Sequence, residues 1–196
     1  MTPATSVTEQ QHRTSITITE PGGQTLTLPV ATETSLVNPV TGERALVVEQ
    51  HRYSYYCQEL ARHITGASQE VSLNTTNGST KCADILFPYD AAKHEWLARF
   101  LASSVITPGG DEPILNDGSL VAIEVEISDP AASSVNNATK DLSAGVDHVL
   151  IAIQPADRDS VKTALQQHVP SDLWRRIGIT AILTLLDTIR PQKGTP

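Results

Sequence analysis

The sequence predicts an α/β domain with a mixed central sheet, and three consecutive segments carry that prediction. Residues 121–127 (VAIEVEI) have the composition of a β-strand with two carboxylates two positions apart. A helix is expected from residue 130, and the short apolar run at 149–153 (VLIAI) is typical of a strand buried on both faces. Strand, helix and buried strand in this order form a βαβ unit, with parallel strands and a right-handed crossover.

The helix of this unit has signals at both ends. Asp129 can cap the free backbone amides, and Pro130 suits the first helical position. Gly145 is expected to end the helix. Between these ends, apolar residues recur at helical spacing, namely Ala131, Val135, Ala138 and Leu142.

The N-terminal part predicts an extension of the domain. Residues 1–13 are polar and predict a disordered arm. Residues 14–19 and 24–30 both alternate between threonine and apolar residues, and the Glu-Pro-Gly-Gly at 20–23 is a turn signal. We therefore expect a β-hairpin extension over residues 14–45, ahead of the main domain at 46–190.

The following segments predict a helix, a hairpin and a second helix. Residues 49–63 carry a single apolar stripe at helical spacing. Two predicted strands, 69–75 and 81–88, flank the tight-turn dipeptide Asn-Gly at 77–78. Residues 91–105 then predict the second helix.

The C-terminal part predicts two more helices and a tail. Residues 157–168 form a short amphipathic pattern, and Pro170-Ser171-Asp172 precedes an apolar pattern at 173–189 that we interpret as one helix. Residues 191–196 are expected to be a tail.

Composition limits the class of protein. The chain of 196 residues has 14 Lys and Arg against 22 Asp and Glu, a net charge of −8, which argues against a protein that coats nucleic acid by bulk charge. It leaves room for a small basic channel on an acidic body. Cys57 and Cys82 do not make a disulfide framework, and neither a signal peptide nor an apolar run long enough for a bilayer is evident, so we expect a cytoplasmic protein without a membrane partner.

The acidic residues on predicted strands are the candidate functional residues. Glu124 and Glu126 share one face of their strand, about 6–7 Å apart along it. Asp84 lies in the middle of an otherwise apolar strand, where aspartate is disfavoured. Water, a basic side chain or a bound cation could offset the repulsion between such carboxylates. A solvated sheet face, or a rim position for Asp84 beside Lys81 or Arg52, is the alternative.

These residues resemble motifs of one nuclease superfamily. The segment KCADIL at 81–86 looks like the "R-x-A-D-hydrophobic" second strand of competence-associated and mobile-element nucleases, and IEVEIS at 123–128 looks like their third strand. Residues 136–153 resemble the helix and strand that follow. Over residues 49–153 the chain thus resembles the PD-(D/E)XK nuclease superfamily, which implies a restriction-endonuclease-like αβββαβ core.

The resemblance also implies roles for residues. Asp84 and Glu124 would bind Mg²⁺ or Mn²⁺, which polarises the phosphate and activates the attacking water. Glu126 occupies the position where the superfamily usually has lysine, and it could bind a second cation or act as a general base. Lys140 on the following helix is the best donor of the missing positive charge, although a solvated position is the alternative.

Two further residue assignments concern a third metal ligand and a second charge donor. The helix-borne acid of many superfamily members, a further metal ligand, would be Glu59 or Glu49. Lys81 is a poorer charge donor than Lys140, because an odd offset from Asp84 points it to the opposite face.

Three functional hypotheses follow. The first is a metal-dependent nuclease acting on DNA, with catalysis by Asp84, Glu124, Glu126 and Lys140. The second is a nuclease-fold module without catalysis that binds nucleic acid or protein, which the net charge and Glu126 favour. The third is an unrelated α/β protein whose acids line a small-molecule pocket, which would be favoured if Asp84 and Glu124 were far apart in space. A protein partner or a second copy could bind through the N-terminal hairpin or the C-terminal helix.

Overall fold

A computed structural model describes residues 15–19, 25–29, 44–74, 80–104 and 115–190, and side chains from residue 52 onward except at 81 and 102–104. The predicted arm, the Asn-Gly turn at 77–78 and the tail lie outside these residues. The chain divides into two compact units, Met1–Tyr55 and Tyr56–Pro196.

The first unit contains a two-stranded sheet. Strand β1 (Ser15–Thr19) pairs antiparallel with β2 (Thr25–Pro29), so that Ser15 lies opposite Pro29. This is the pairing that the alternating threonines predicted. Helix α1 (Arg44–His63) begins earlier than the predicted residue 49 and contains the boundary between the two units.

The second unit is built on a five-stranded mixed sheet in the order β3-β4-β5-β6-β7. The first three strands pair antiparallel, and β5, β6 and β7 run parallel. Helix α3 forms the crossover from β5 to β6, as the βαβ prediction required. The elements are β3 (Ser68–Asn74), β4 (Thr80–Pro88), α2 (Glu95–Ser104), β5 (Leu120–Glu126), α3 (Pro130–Ser143), β6 (His148–Ile153), α4 (Arg158–His168), β7 (Ile177–Ala181) and α5 (Ile182–Ile189).

The prediction of one helix over residues 173–189 is wrong. A 3₁₀ turn (Ser171–Arg176) leads into β7, and only then does α5 begin. The segment Ile177-Gly178-Ile179-Thr180 has the period of a strand, but Ile177 also has helical spacing to the apolar residues of α5. Pairing with β7 satisfies the second edge of the buried strand β6, which a helix could not do.

The start of α3 also differs from the prediction. Pro130 is at its first position, but the side chain of Asp129 makes no capping hydrogen bond. The backbone of Asp129 is left-handed, with φ of 44° and ψ of 55°. The residue before a proline is sterically disfavoured in the right-handed helical region, so Asp129 joins β5 to α3 through its backbone conformation and not as a side-chain cap.

Apolar side chains cover both faces of the sheet. One cluster joins Ile151 and Ile153 of β6 to Ala138 and Leu142 of α3 and to α4. Other large buried side chains come from α1, α2 and the alternate positions of β4 and β5, namely Tyr56, Leu60, Leu97, Leu101, Ile85, Phe87 and Ile123. Strand β5 is therefore central, and its side chains are almost completely buried. Within the described ranges, no helix has the length and apolar character needed to cross a bilayer.

Candidate functional site

The junction of β4 and β5 holds the first two candidate residues together. The backbone pairing of these antiparallel strands ends at Ile85 and Ile123, so the next position would set Asp84 against Glu124. At that position side chains take over the hydrogen bonds. The Asp84 amide donates to Glu124 Oε1 at 3.4 Å, and the Val125 amide donates to Asp84 Oδ2 at 2.8 Å. Both carboxylates are thus fixed by the neighbouring strand.

Glu124 and Glu126 lie on the face of β5 that is covered by α3. Their parallel neighbours on β6 are Ile151 and Ile153, which belong to the apolar cluster with α3. Glu124 is 1% exposed and Glu126 is 5% exposed. The alternative of a solvated sheet face is therefore wrong, and these carboxylates require partners inside the protein.

Lys140 supplies the positive charge at this place. Its side chain is 10% exposed, so the alternative of a solvated position is also wrong. Its ammonium lies 3.2 Å from Glu124 Oε1 and 3.3 Å from Asp141 Oδ1. It also donates to the carbonyl oxygen of Cys82 and, at 3.2 Å, to Asn137 Oδ1. An ammonium has three protons, so four oxygen neighbours occupy it fully.

Helix α3 provides the remaining partners from one side. Asn137 Nδ2 donates to Glu126 Oε1 at 2.7 Å. Residues 137, 140 and 141 are separated by three and four positions, the spacing that places side chains on one helical face. The turn before them carries the buried Ser134.

Asp141 belongs to this cluster, although the sequence reasoning did not identify it. Its side chain is completely buried. Among the described residues, neither of its carboxylate oxygens has a hydrogen-bond partner, and its ion pair is with Lys140. Its position next to Leu142 and three residues after Ala138, inside the apolar stripe of α3, is the signal that could have revealed it.

Burial controls the ionisation of the cluster. Loss of solvation, followed by the nearby carboxylates of Asp84 and Asp141, raises the pKa of Glu124, and Lys140 only partly opposes this. Burial raises the pKa of Glu126 to about 7 against the hydrogen bond from Asn137, and it also raises the pKa of Asp141. Burial lowers the pKa of Lys140, but Glu124 and Asp141 outweigh it, so the pKa is raised and the ammonium stays charged. One ammonium therefore faces several carboxylates that are difficult to ionise.

The helix-borne acids are not brought to this cluster by any described contact. Glu59 forms ion pairs with Arg62 and with Arg190, each at 3.0 Å, instead of joining Asp84 and Glu124. Its expected role as a metal ligand is therefore unsupported. The side chains of Glu49 and Lys81 lie outside the described residues.

The cluster contains carboxylate oxygens, the type of donor atom that a hard divalent cation prefers. In the ranges that the structure describes, no group of three or more Asp, Glu, His or Cys side chains is arranged to hold a metal ion. Mg²⁺, however, is often held by one or two carboxylates, with water and substrate oxygens completing its shell. Glu124 Oε2 and both oxygens of Asp141 are buried carboxylate atoms without hydrogen-bond partners in the described part of the chain. These are the oxygens that such a cation could use.

A cavity elsewhere bears on the small-molecule hypothesis. It has a volume of about 380 Å³, and Thr65, Tyr89, Lys93, His94 and Asp117 are among its lining residues. No residue of the carboxylate cluster lines it. Since Asp84 and Glu124 are also close together, both observations disfavour a small-molecule pocket formed by these acids.

Comparisons with protein-family models, with curated proteins and with solved structures found no match to the chain.

Replacement of Lys140 by methionine tests the electrostatic role of its ammonium. Lys140→Met leaves Glu124 and Asp141 buried without their cation, and we expect the free energy of unfolding to fall by about 3–5 kcal/mol. Urea denaturation at pH 7 measures this loss. The double variant Lys140→Met/Glu124→Gln should recover part of the stability, and additive losses in the two single variants would contradict the pairing.

Glu126 predicts a pH dependence of stability. Its folded pKa of about 7 exceeds the ordinary value of 4.5, so the folded chain holds this proton more tightly than the unfolded chain. Its contribution is fully present below pH 4.5 and is lost as the pH rises through 7. Between pH 5 and pH 8, wild type should lose about 2 kcal/mol more than Glu126→Gln, in urea denaturation with a chelator present. Equal pH slopes in the two proteins would refute this assignment.

Proposed function

We propose that the chain is a metal-dependent nuclease that hydrolyses phosphodiester bonds, with DNA as its substrate. The observation that carries this proposal is the buried cluster of Asp84, Glu124 and Glu126 with Lys140. A buried ionic cluster is weak evidence for stability, since apolar residues of similar volume often stabilise as well or better. The presence of such a cluster on a central strand is easier to explain by chemistry than by folding.

The topology supports membership of the PD-(D/E)XK superfamily. Apart from α2, which is inserted between β4 and β5, the order α1-β3-β4-β5-α3-β6 is the order expected of a restriction-endonuclease-like core. Its first three strands are antiparallel, and β6 is parallel to β5. The position of Asp84 on β4 and of Glu124 on β5 agrees with the second and third strands of that core. Strand β7 extends the parallel side beyond the expected elements.

The residues of the cluster divide the chemistry among them. Asp84 and Glu124 would hold Mg²⁺ or Mn²⁺, which when bound polarises the phosphate and lowers the pKa of the attacking water. Glu126 has a pKa near neutrality and is oriented by Asn137, as a general base requires. The Lys140 ammonium would stabilise negative charge on the phosphate. It would replace the lysine that the superfamily usually has at the position of Glu126.

A module without catalysis is the second candidate, because the contacts of Lys140 favour it. The ammonium is already surrounded by oxygens of Cys82, Glu124, Asn137 and Asp141. In that case the network would only fix α3 on the sheet, and the domain would bind nucleic acid or protein. The net charge of −8 also agrees better with this candidate.

The proposal extends to the partners of the protein and to its location in the cell. Helix α5 already buries Ile182, Leu185 and Leu186 within its own unit, so the C-terminal helix is a weaker candidate for an interface than the sequence suggested. We keep the N-terminal hairpin as the proposed contact with a protein partner or a second copy. Free thiols at Cys57 and Cys82 agree with the proposed cytoplasmic location.

Cleavage of DNA tests the proposed function. Wild type should cut at least one of linear, circular and single-stranded DNA in Mg²⁺ or Mn²⁺, because the carboxylates provide the ligands for the cation. EDTA, Asp84→Asn and Glu124→Gln should each reduce cleavage to background. Asp187→Asn, on the exposed side of α5, is the matched control and should cut like wild type.

Two outcomes would contradict the proposal. Cleavage that persists in Asp84→Asn would place the active site elsewhere. Failure of wild type to cut any of the substrates in either metal would favour the module without catalysis.

A further inference from the structure

Asp141 is a buried acid that neither the sequence motifs nor the proposed catalytic roles account for. It is fully buried on α3, and its two carboxylate oxygens have no hydrogen-bond partner in the described part of the chain. Buried carboxylates normally accept several hydrogen bonds, because an unsatisfied one carries a large desolvation penalty. Asp141 has instead an ion pair with Lys140 at 3.3 Å and a direct interaction with the carboxyl group of Glu124.

The single charge of Lys140 does not match the number of carboxyl groups around it. Glu124, Glu126 and Asp141 are all buried, and Asp84 is half-buried beside them. The single ammonium of Lys140 is shared with the oxygens of Cys82 and Asn137, which leaves few of its protons for carboxylates. Burial makes these carboxyls difficult to ionise, and a further cation would compensate their negative charge when they do.

The unsatisfied atoms are next to each other. Glu124 and Asp141 contact the same ammonium, and their carboxyl groups also interact directly. Glu124 uses Oε1 for Lys140 and for the Asp84 amide, while its Oε2 is buried without a hydrogen-bond partner among the described residues. Oε2 of Glu124 and the oxygens of Asp141 are therefore the donor atoms that remain available.

We propose that Asp141 is a ligand of the divalent cation, binding it together with Glu124. This inference rests on the proposed function, which requires a cation, and it adds a ligand from α3 to the strand acids. Two carboxylates are a sufficient protein contribution for Mg²⁺ or Mn²⁺, since water and phosphate oxygens complete the shell. The ligand on α3 also explains why Lys140 and Asp141 are adjacent. The helix then presents one group to the phosphate and the next to the cation.

The location of Mn²⁺ in crystals of the full chain is the direct test. Anomalous diffraction from crystals grown with Mn²⁺ should show a peak within about 2.0–2.6 Å of an oxygen of Asp141 and of an oxygen of Glu124. A peak bound by the strand acids with Asp141 outside its shell would overturn the proposal. This test uses wild type and does not depend on how any variant folds.

Calorimetric titration with Mn²⁺ gives the energetic counterpart. Asp141→Asn should bind Mn²⁺ at least about 10-fold more weakly than wild type, because it loses a charged ligand. Asp187→Asn, an exposed aspartate on a helix, should bind as wild type does. Circular dichroism confirms that each titrated protein is folded. Unchanged affinity in folded Asp141→Asn, or no binding by wild type, would overturn the proposal.

DNA cleavage separates this proposal from the proposed function. If Mn²⁺ binds through Asp141 but wild type cuts no DNA, the ligand assignment holds and the nuclease function fails. If wild type cuts DNA in Mg²⁺ and Asp141→Asn retains both cleavage and cation affinity, the nuclease function holds and the ligand assignment fails.

Discussion

The burial of two carboxylates on β5 is the constraint on which the rest of the site depends. Glu124 and Glu126 face α3 from a strand that is covered on both sides, so water cannot solvate them. The protein compensates from two directions. On strand β4, the backbone amide of Asp84 donates a hydrogen bond to Glu124. On α3, Asn137 donates to Glu126 and Lys140 donates to Glu124. The position of α3 on the sheet is thus determined by polar contacts as well as by apolar packing.

The face of α3 that contacts the sheet combines these two kinds of packing. Ala138 and Leu142 pack into the apolar cluster with Ile151, while Lys140 and Asp141 lie in the polar one. The small residues Ala122 and Ala138 belong to the same apolar cluster. Removing a single charged partner from such a buried group is destabilising, because the others remain without compensation.

The sequence was most informative where local periodicity and chemistry agree. Strand alternation placed Glu124 and Glu126 on one face, and the βαβ pattern predicted α3 after them. The choice of Lys140 as the positive charge came from the resemblance to the nuclease superfamily. The sequence was least informative where one segment fits both the period of a strand and the period of a helix. Ile177 has helical spacing to the apolar residues that follow it, and only pairing with β6 makes its segment a strand. The ion pair of Glu59 with Arg190 could not be predicted either, because Arg190 is distant in sequence.

Asp141 shows a different limit of the sequence. An acid that follows a lysine on a helix resembles a solvated ion pair, and only the packing of α3 shows that it is buried. The excess of carboxylates over ammonium groups that results is the central reason to expect a bound cation. The most direct measurement is the free energy of unfolding in urea as a function of free Mg²⁺, at constant ionic strength. A cation that binds the folded chain should increase it by about 2.7 kcal/mol at 100 times its dissociation constant. A free energy of unfolding that is the same in Mg²⁺ and in chelator would contradict a cation site in this cluster.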